Sequence, residues 1–249
     1  MQVNSYSHIV TSEEINKILL LGYQILGIDD DSEHDFINRH FPNFDLFKLL
    51  EDINTILTPF WSTSIEKTVY LKDSQPPEII IAFLTYDYSY ESTGLVLVRT
   101  FTWEQDHLIV KHDFFRIPVK FRRLGIAKNV FKVFLQQYVN MGVQKIKVLA
   151  SLADGGYVWA LNYFTATNKR EVEVILESAQ TRLSPSEYGD VEQIFNNYYT
   201  NNPHGTAFPI QKWAELPFMV DILRGSSWNG AIDLNNSEQF SNFMSYVFR

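Results

Sequence analysis

The residues best equipped for chemistry lie in one short stretch, Ile117-Pro118-Val119-Lys120-Phe121-Arg122-Arg123-Leu124-Gly125-Ile126-Ala127-Lys128. An extended segment ends at Pro118, a basic loop follows, and a helical pattern starts near Gly125. The first turn of a helix carries backbone N–H groups without intrahelical partners and the positive end of the helix dipole, so it attracts phosphate. Glycine at 125 has no Cβ to hold a ligand away from the backbone. Arg122, Arg123 and Lys128 add charged donors that match phosphate oxygens. The stretch reads as a phosphate cradle. It is not a P-loop, because no Gly-Lys-Ser/Thr ending is present, nor a G-x-G-x-x-G dinucleotide fingerprint.

Charge distribution points the same way. The net charge is −8, yet no acidic residue occurs between Asp113 and Asp154. That window holds Arg116, Lys120, Arg122, Arg123, Lys128, Lys132, Lys145 and Lys147. A basic island in an acidic chain suits a discrete polyanionic ligand; a nucleic-acid binder is usually basic over a whole face, so no nucleic-acid partner is expected. The plain alternative is a solvated basic helix face.

Several chemistries are excluded by what the chain lacks. There is no cysteine, which removes disulfides, thiolate metal sites and thiol nucleophiles. The six histidines show no i,i+4 pair and no H-E-x-x-H spacing, so no metal site is expected. His34 and His40 with Glu33 and Asp35 read as a polar loop. No G-x-S-x-G elbow is present. Met1-Gln2-Val3-Asn4 lacks the basic start and apolar run of a secretory signal, and no stretch approaches the roughly 20 apolar residues that span a bilayer. A cytoplasmic protein with no membrane span is expected. An apolar share of 45% with 20% charged residues is that of a folded chain rather than a disordered one. The 19 Phe, 13 Tyr and 5 Trp could line an apolar pocket, although aromatics more often fill a core.

The elements that must position the loop follow from periodicity. Thr11-Ser12-Glu13-Glu14 offers cap chemistry ahead of Ile15, Ile18, Leu19 and Leu20 at helical spacing. A second helix covers Asp45 to Leu57 and stops before Pro59. Ile65 to Leu71, Glu78 to Tyr86, Gly94 to Trp103 and His107 to Ile117 read as strands. Short turns join them, which implies an antiparallel meander. Ile126 to Met141 is an amphipathic helix ended by Gly142, and Gln144 to Ala150 alternates as a strand. Strand, helix, strand in that order is a crossover whose two strands run parallel. Further on, Val172 to Leu183, Val191 to Tyr199 and Gln239 to Val247 read as helices, and 226–233 as a turn into a short strand.

Arg122-Arg123-Leu124-Gly125-Ile126-Ala127 resembles the R/Q-x-x-G-x-G/A pattern of the GNAT N-acyltransferase superfamily, in its setting of a preceding strand and a following amphipathic helix. Gly155-Gly156-Tyr157-Val158-Trp159-Ala160-Leu161-Asn162-Tyr163-Phe164 is similar to that family's final motif. The likeness covers about 50 residues well, from 114 to 164, and the meander from Ile65 loosely. It implies an α/β (α+β) fold with a central mixed sheet, an antiparallel meander followed by a βαβ crossover, and extra helical segments at both ends. The corresponding division is 1–60 as an N-terminal helical extension, 61–168 as the acyl-CoA-binding core and 169–249 as a mostly helical C-terminal extension, together one compact unit.

The resemblance also implies roles. The backbone of Phe115, Ile117 and Val119 would pair with the pantetheine arm of an acyl-CoA, acetyl-CoA or longer. The segment Arg122, Arg123, Leu124, Gly125, Ile126, Ala127 and Lys128 would hold the pyrophosphate. Ser151 is the polar group nearest the place of the family's asparagine. The position of the family's general acid falls on Trp159, an indole that cannot give up a proton at useful pH, so Tyr157 is its replacement. Amine attack needs a base. Asp113 is the choice among Asp113, His112, Glu104 and His107. The activity implied is acyl transfer from CoA, a cosubstrate, directly to an amine on a peptide, a protein lysine or a small molecule. The alternative is a catalytically silent module of the same fold that binds CoA or a partner protein.

Overall fold

The computed structural model describes residues 7–28, 32–61, 65–86, 94–151 and 154–248, so the first residues, read above for a signal, lie outside it. The fold is mixed α/β. It divides into two compact units, residues 1–144 with 247–249, and residues 145–246.

In the first unit, helices α1 (Ser12–Leu20), α2 (Glu33–His40), α3 (Leu46–Leu57) and α4 (Ile126–Met141) accompany a mixed sheet of β1 (Gln24–Leu26), β2 (Ile65–Lys72), β3 (Glu78–Thr85), β4 (Val96–Glu104) and β5 (His107–Arg116). β2 to β5 form the expected antiparallel meander, and β1 adds a parallel edge on β2. The β4–β5 connection is two residues long, with Gln105 and Asp106 both at positive φ, the geometry that matches strand twist in a tight hairpin. Thr11 caps α1 in a reciprocal box with Glu14, and Asp45 caps α3 by accepting from Lys48 N. Two features escaped the sequence reading. Glu33 to His40 is helix α2 rather than a polar loop, because Ser32 caps it and Phe36 and Ile37 bury one face. β1 is too short to show a period.

One face of the sheet carries Ile81, Phe83, Leu97 and Phe101, all fully buried. Phe101 meets Phe44 from before α3 (4.8 Å) and Tyr138 of α4 (5.9 Å), while Trp103 Nε1 donates to His40 O at 2.9 Å. Helices α2 to α4 therefore cover this face, and α4 is held by Ile126, Val130, Phe131, Phe134, Leu135 and Tyr138 along its buried side.

The second unit pairs β6 (Lys145–Ala150) antiparallel with β8 (Trp228–Asp233), which pairs antiparallel with β7 (Thr165–Ala166). Around them lie α5 (Gly155–Leu161), α6 (Lys169–Arg182), α7 (Pro185–Asn201), α8 (Gln211–Ala214), α9 (Val220–Arg224) and most of α10 (Ser237–Phe248). α6, α7 and α10 overlap the three helices expected from periodicity, α6 stopping one residue short at Arg182 and α7 starting six residues earlier, and β8 follows the expected turn. α5 packs against α9 through Gly156, where a Cβ would collide with the Leu223 carbonyl oxygen. No helix among the described residues is long and apolar enough to cross a membrane.

Candidate functional site

The loop of interest runs from the end of β5 to the start of α4. A single 3-10 turn, Val119–Phe121, follows Pro118, with Phe121 N bonded to Pro118 O at 2.9 Å and Arg122 N to Val119 O at 3.2 Å. Arg123 and Gly125 then take left-handed backbone conformations, φ 66° and 79°. For arginine this conformation is uncommon and costs on the order of 1 kcal/mol or more, a kind of strain that concentrates at ligand-binding segments. Gly125 caps α4 without a side-chain hydrogen bond, and the first helical bond is Asn129 N to Gly125 O at 3.0 Å. The amides of Ile126, Ala127 and Lys128 therefore head a 16-residue helix with no side-chain cap. A Cβ built on Gly125 meets nothing within 4 Å, so this end opens to solvent with room for a ligand.

Side chains divide the loop into anchors and an open rim. Ile126 is buried and fixes the start of α4. Phe121 packs edge-on to Trp61 at 4.9 Å and near Phe60 at 5.9 Å, which ties the 3-10 turn to the segment after α3. Val119, Arg122, Arg123 and Leu124 are exposed, while Ala127 and Lys128 are half-buried. Arg122 Nε donates to Ile117 O at 3.2 Å, so one edge of that guanidinium braces the loop. Lys120 lies 4.7 Å over the Phe121 ring. The result is a cationic, amide-rich end on a rigid helix.

Upstream, Phe115 on β5 and Ile117 just past its end are half-buried, and Asp113 is exposed. Thr100 Oγ1 donates to the Asp113 carboxylate at 2.7 Å. Although the residue is exposed overall, neighbouring atoms crowd its carboxyl. That partial desolvation raises its pKa, against the lowering effects of Thr100, Arg99 and Lys111. A carboxyl with a raised pKa is a stronger base than an ordinary one. The other three candidates are placed differently. His112 is buried against Phe131 and shares a 2.8 Å hydrogen bond with the Tyr138 hydroxyl. Burial, then repulsion by Arg99, holds its pKa well below 6.5. Glu104 and His107 pair at the β4–β5 hairpin, the opposite end of β5 from the loop and roughly 30 Å away along ten residues of strand.

Ser151 and Tyr157 belong to the second unit. Ser151 is half-buried just after β6. Tyr157, on α5, is half-buried with the Arg224 guanidinium 5.6 Å from its ring. Arg224 is itself held by Asp154 at 3.3 Å and Asp221 at 3.6 Å. Trp159 packs edge-on to the buried Phe164 at 5.0 Å, a structural role.

Three further features lay outside the sequence reading. Phe60 and Trp61, after the Pro59 helix stop, anchor the loop; an aromatic pair directly behind a helix stop was the available signal. Arg99 is fully buried on β4, and its place between Leu97 and Phe101 in strict alternation could have revealed an inward-facing charge. His8, Glu14 and Asp45 bring three potential ligand atoms within 4.8 Å of one another. Glu14 Oε2 accepts from Thr11 N and Asp45 Oδ1 from Lys48 N, so both carboxylates already serve as helix caps. Two pockets, of about 330 Å³ beside Gln24 and Lys67 and about 210 Å³ beside Tyr198 and Lys212, do not touch the loop.

No family model matches this chain, and no curated protein matches it.

Proposed function

We propose that the chain is an acyl-CoA-dependent N-acyltransferase that moves an acyl group directly from CoA to an amine on a peptide, a protein lysine or a small molecule. The observation that carries this reading is the uncapped start of α4, preceded by left-handed Arg123 and Gly125 and flanked by Arg122 and Lys128. Such an end suits a pyrophosphate, whose charge meets the amide donors and the helix dipole together. The GNAT-like pattern of the loop extends this to CoA, with the backbone of Phe115, Ile117 and Val119 as the strand edge for its pantetheine arm.

In this reading the amine nitrogen attacks the thioester carbon and Asp113 accepts the proton that the nitrogen loses. The C–S bond then breaks and the departing thiolate takes up a proton. A thiol has a pKa near 8.5, so the leaving group needs modest help, and a positioned acid contributes about 10²–10⁴-fold. The acidic remainder of the chain suits a cationic acceptor.

The test is thermal stability with and without CoA, acetyl-CoA and longer acyl-CoAs, followed by thiol release in the presence of amines. Ligand at about 100 times its dissociation constant stabilises by roughly 2.7 kcal/mol. A shift with thiol release supports the enzyme. A shift without release for any acceptor leaves the silent CoA-binding module, and no shift removes the CoA assignment.

A further inference from the structure

The pairing of β4 with β5 is interrupted once. Val98 faces Phe114 and Thr100 faces Lys111, so a single residue of β4, Arg99, stands against two of β5, His112 and Asp113. Such a bulge leaves a residue out of the ladder and bends its strand. The Arg99 side chain lies fully buried at this point, with its guanidinium 5.2 Å from the Phe115 ring and 5.6 Å from Phe134. One nitrogen, Nη1, donates to both Val98 O and Phe114 O at 2.8 Å. These two oxygens belong to the pair at which regular register resumes toward the end of β5.

Stability alone does not account for a cation here. Its Nε and Nη2 make no hydrogen bond of good geometry among the described residues, although the Tyr138 hydroxyl lies close enough to interact with the guanidinium. Tyr138 and Asp113 favour its charged form, but burial dominates and lowers its pKa to about 10. It stays protonated at neutral pH at the expense of desolvation, where an apolar side chain of similar volume is often neutral or stabilising. What an apolar side chain cannot do is bridge two carbonyls across the bulge.

We infer that Arg99 is a positioning residue: its guanidinium staples the β4–β5 bulge and so sets the path of Phe115 to Val119. The consequence for ligand rests on the reading above, in which that segment pairs with the acyl-CoA arm and leads into the phosphate loop. Because Nη1 alone makes both bonds, a lysine ammonium, one bond shorter, can still serve these two oxygens after a small shift, and a methionine has no donor to offer.

The experiment compares full-length wild type, Arg99→Met and Arg99→Lys by amide hydrogen exchange and by calorimetric titration with CoA. In Arg99→Met, exchange of the amides of residues 112–116 is expected to speed at least tenfold while the middle of α4 keeps its protection, and CoA affinity is expected to fall about tenfold. Arg99→Lys is expected within about threefold of wild type in both readouts. Unchanged exchange at 112–116 in Arg99→Met overturns the staple. Faster exchange with wild-type affinity overturns the positioning role. Should Arg99→Met fail to fold, Arg99→Lys decides, since a folded lysine variant that loses protection at 112–116 shows that two donated bonds are not what holds the bulge. If wild type does not bind CoA, the functional reading fails while the exchange comparison still judges the staple.

Discussion

In the first unit the sheet face beneath α4 buries a guanidinium, an imidazole and a phenol, Arg99, His112 and Tyr138, among its aromatic rings. The second unit closes instead on rings. Tyr199 stacks on Phe208 at 5.6 Å, Phe208 meets Trp213 at 4.7 Å, and Trp213 Nε1 donates to Val191 O at 3.1 Å. The first core is electrostatically costly and directional, since its groups hold a bulge and a strand end in one arrangement. The second is held by area, which is strong but indifferent to direction. On the function proposed above, a unit that presents a ligand loop at a fixed angle gains from the first kind of core.

The largest expected effect lies in the second unit. Trp213→Ala removes a fully buried indole and should cost about 3–5 kcal/mol in urea unfolding. A loss under about 1 kcal/mol would mean that the aromatic pile is not that unit's core, and the contrast would collapse.

Next comes Gly125→Glu in the first unit. It places a side chain at φ 79° and a negative charge against the amides of α4, and CoA affinity should fall at least a hundredfold. Unchanged affinity in a folded variant would falsify the assignment of the ligand to this loop. The strain itself should lower stability by only about 1 kcal/mol, because the new Cβ meets open space.

Smaller and unequal losses are expected at the two arginines. Arg122 is the favoured phosphate contact, worth about 1.5–3 kcal/mol of binding, and Arg123→Ala should cost less. Since Arg122 also braces Ile117 O, its replacement should raise exchange at the end of β5 as well. Equal losses at both positions, or none, would remove the choice of Arg122 over Arg123 as the phosphate contact.

The smallest effect is a pH dependence confined to the polar core. Folded His112 is neutral between Phe131, Tyr138 and Arg99, whereas in the unfolded chain its imidazole takes up a proton near pH 6.5. Below that pH the unfolded state binds the extra proton, so stability falls as pH falls, by at most about 1.4 kcal/mol per pH unit. Urea midpoints at pH 7.5, 6.5 and 5.5 should fall more steeply for wild type than for His112→Phe. Parallel curves would show that the imidazole titrates alike in both states.

The two units also differ in how far they could be read in advance. Every strand of the meander was visible, because β2 to β5 join through short turns and pair with their neighbours in sequence. The bounds of α4 were visible too, since Gly125 and Gly142 stand directly outside its amphipathic run. In the second unit β6 pairs with β8, some 80 residues later, and nothing local in Lys145 to Ala150 names that partner. α8 and α9 are one turn each and carry no period.

The sequence by itself determined the loop ahead of α4, its basic charge and the helix behind it, because these depend on residue types within a dozen positions and on local backbone chemistry. Only the tertiary structure decided how the candidate bases are placed along β5. Asp113, His112 and His107 lie within seven residues of one another on β5; alternation puts His112 in the core and Asp113 outside, and the bulge then shifts that alternation so that Phe115 rather than Phe114 turns inward. The length of the strand carries His107 to its far end. One extra residue in a strand reverses which side chains face outward, and that follows from pairing across the sheet rather than from the strand's own composition.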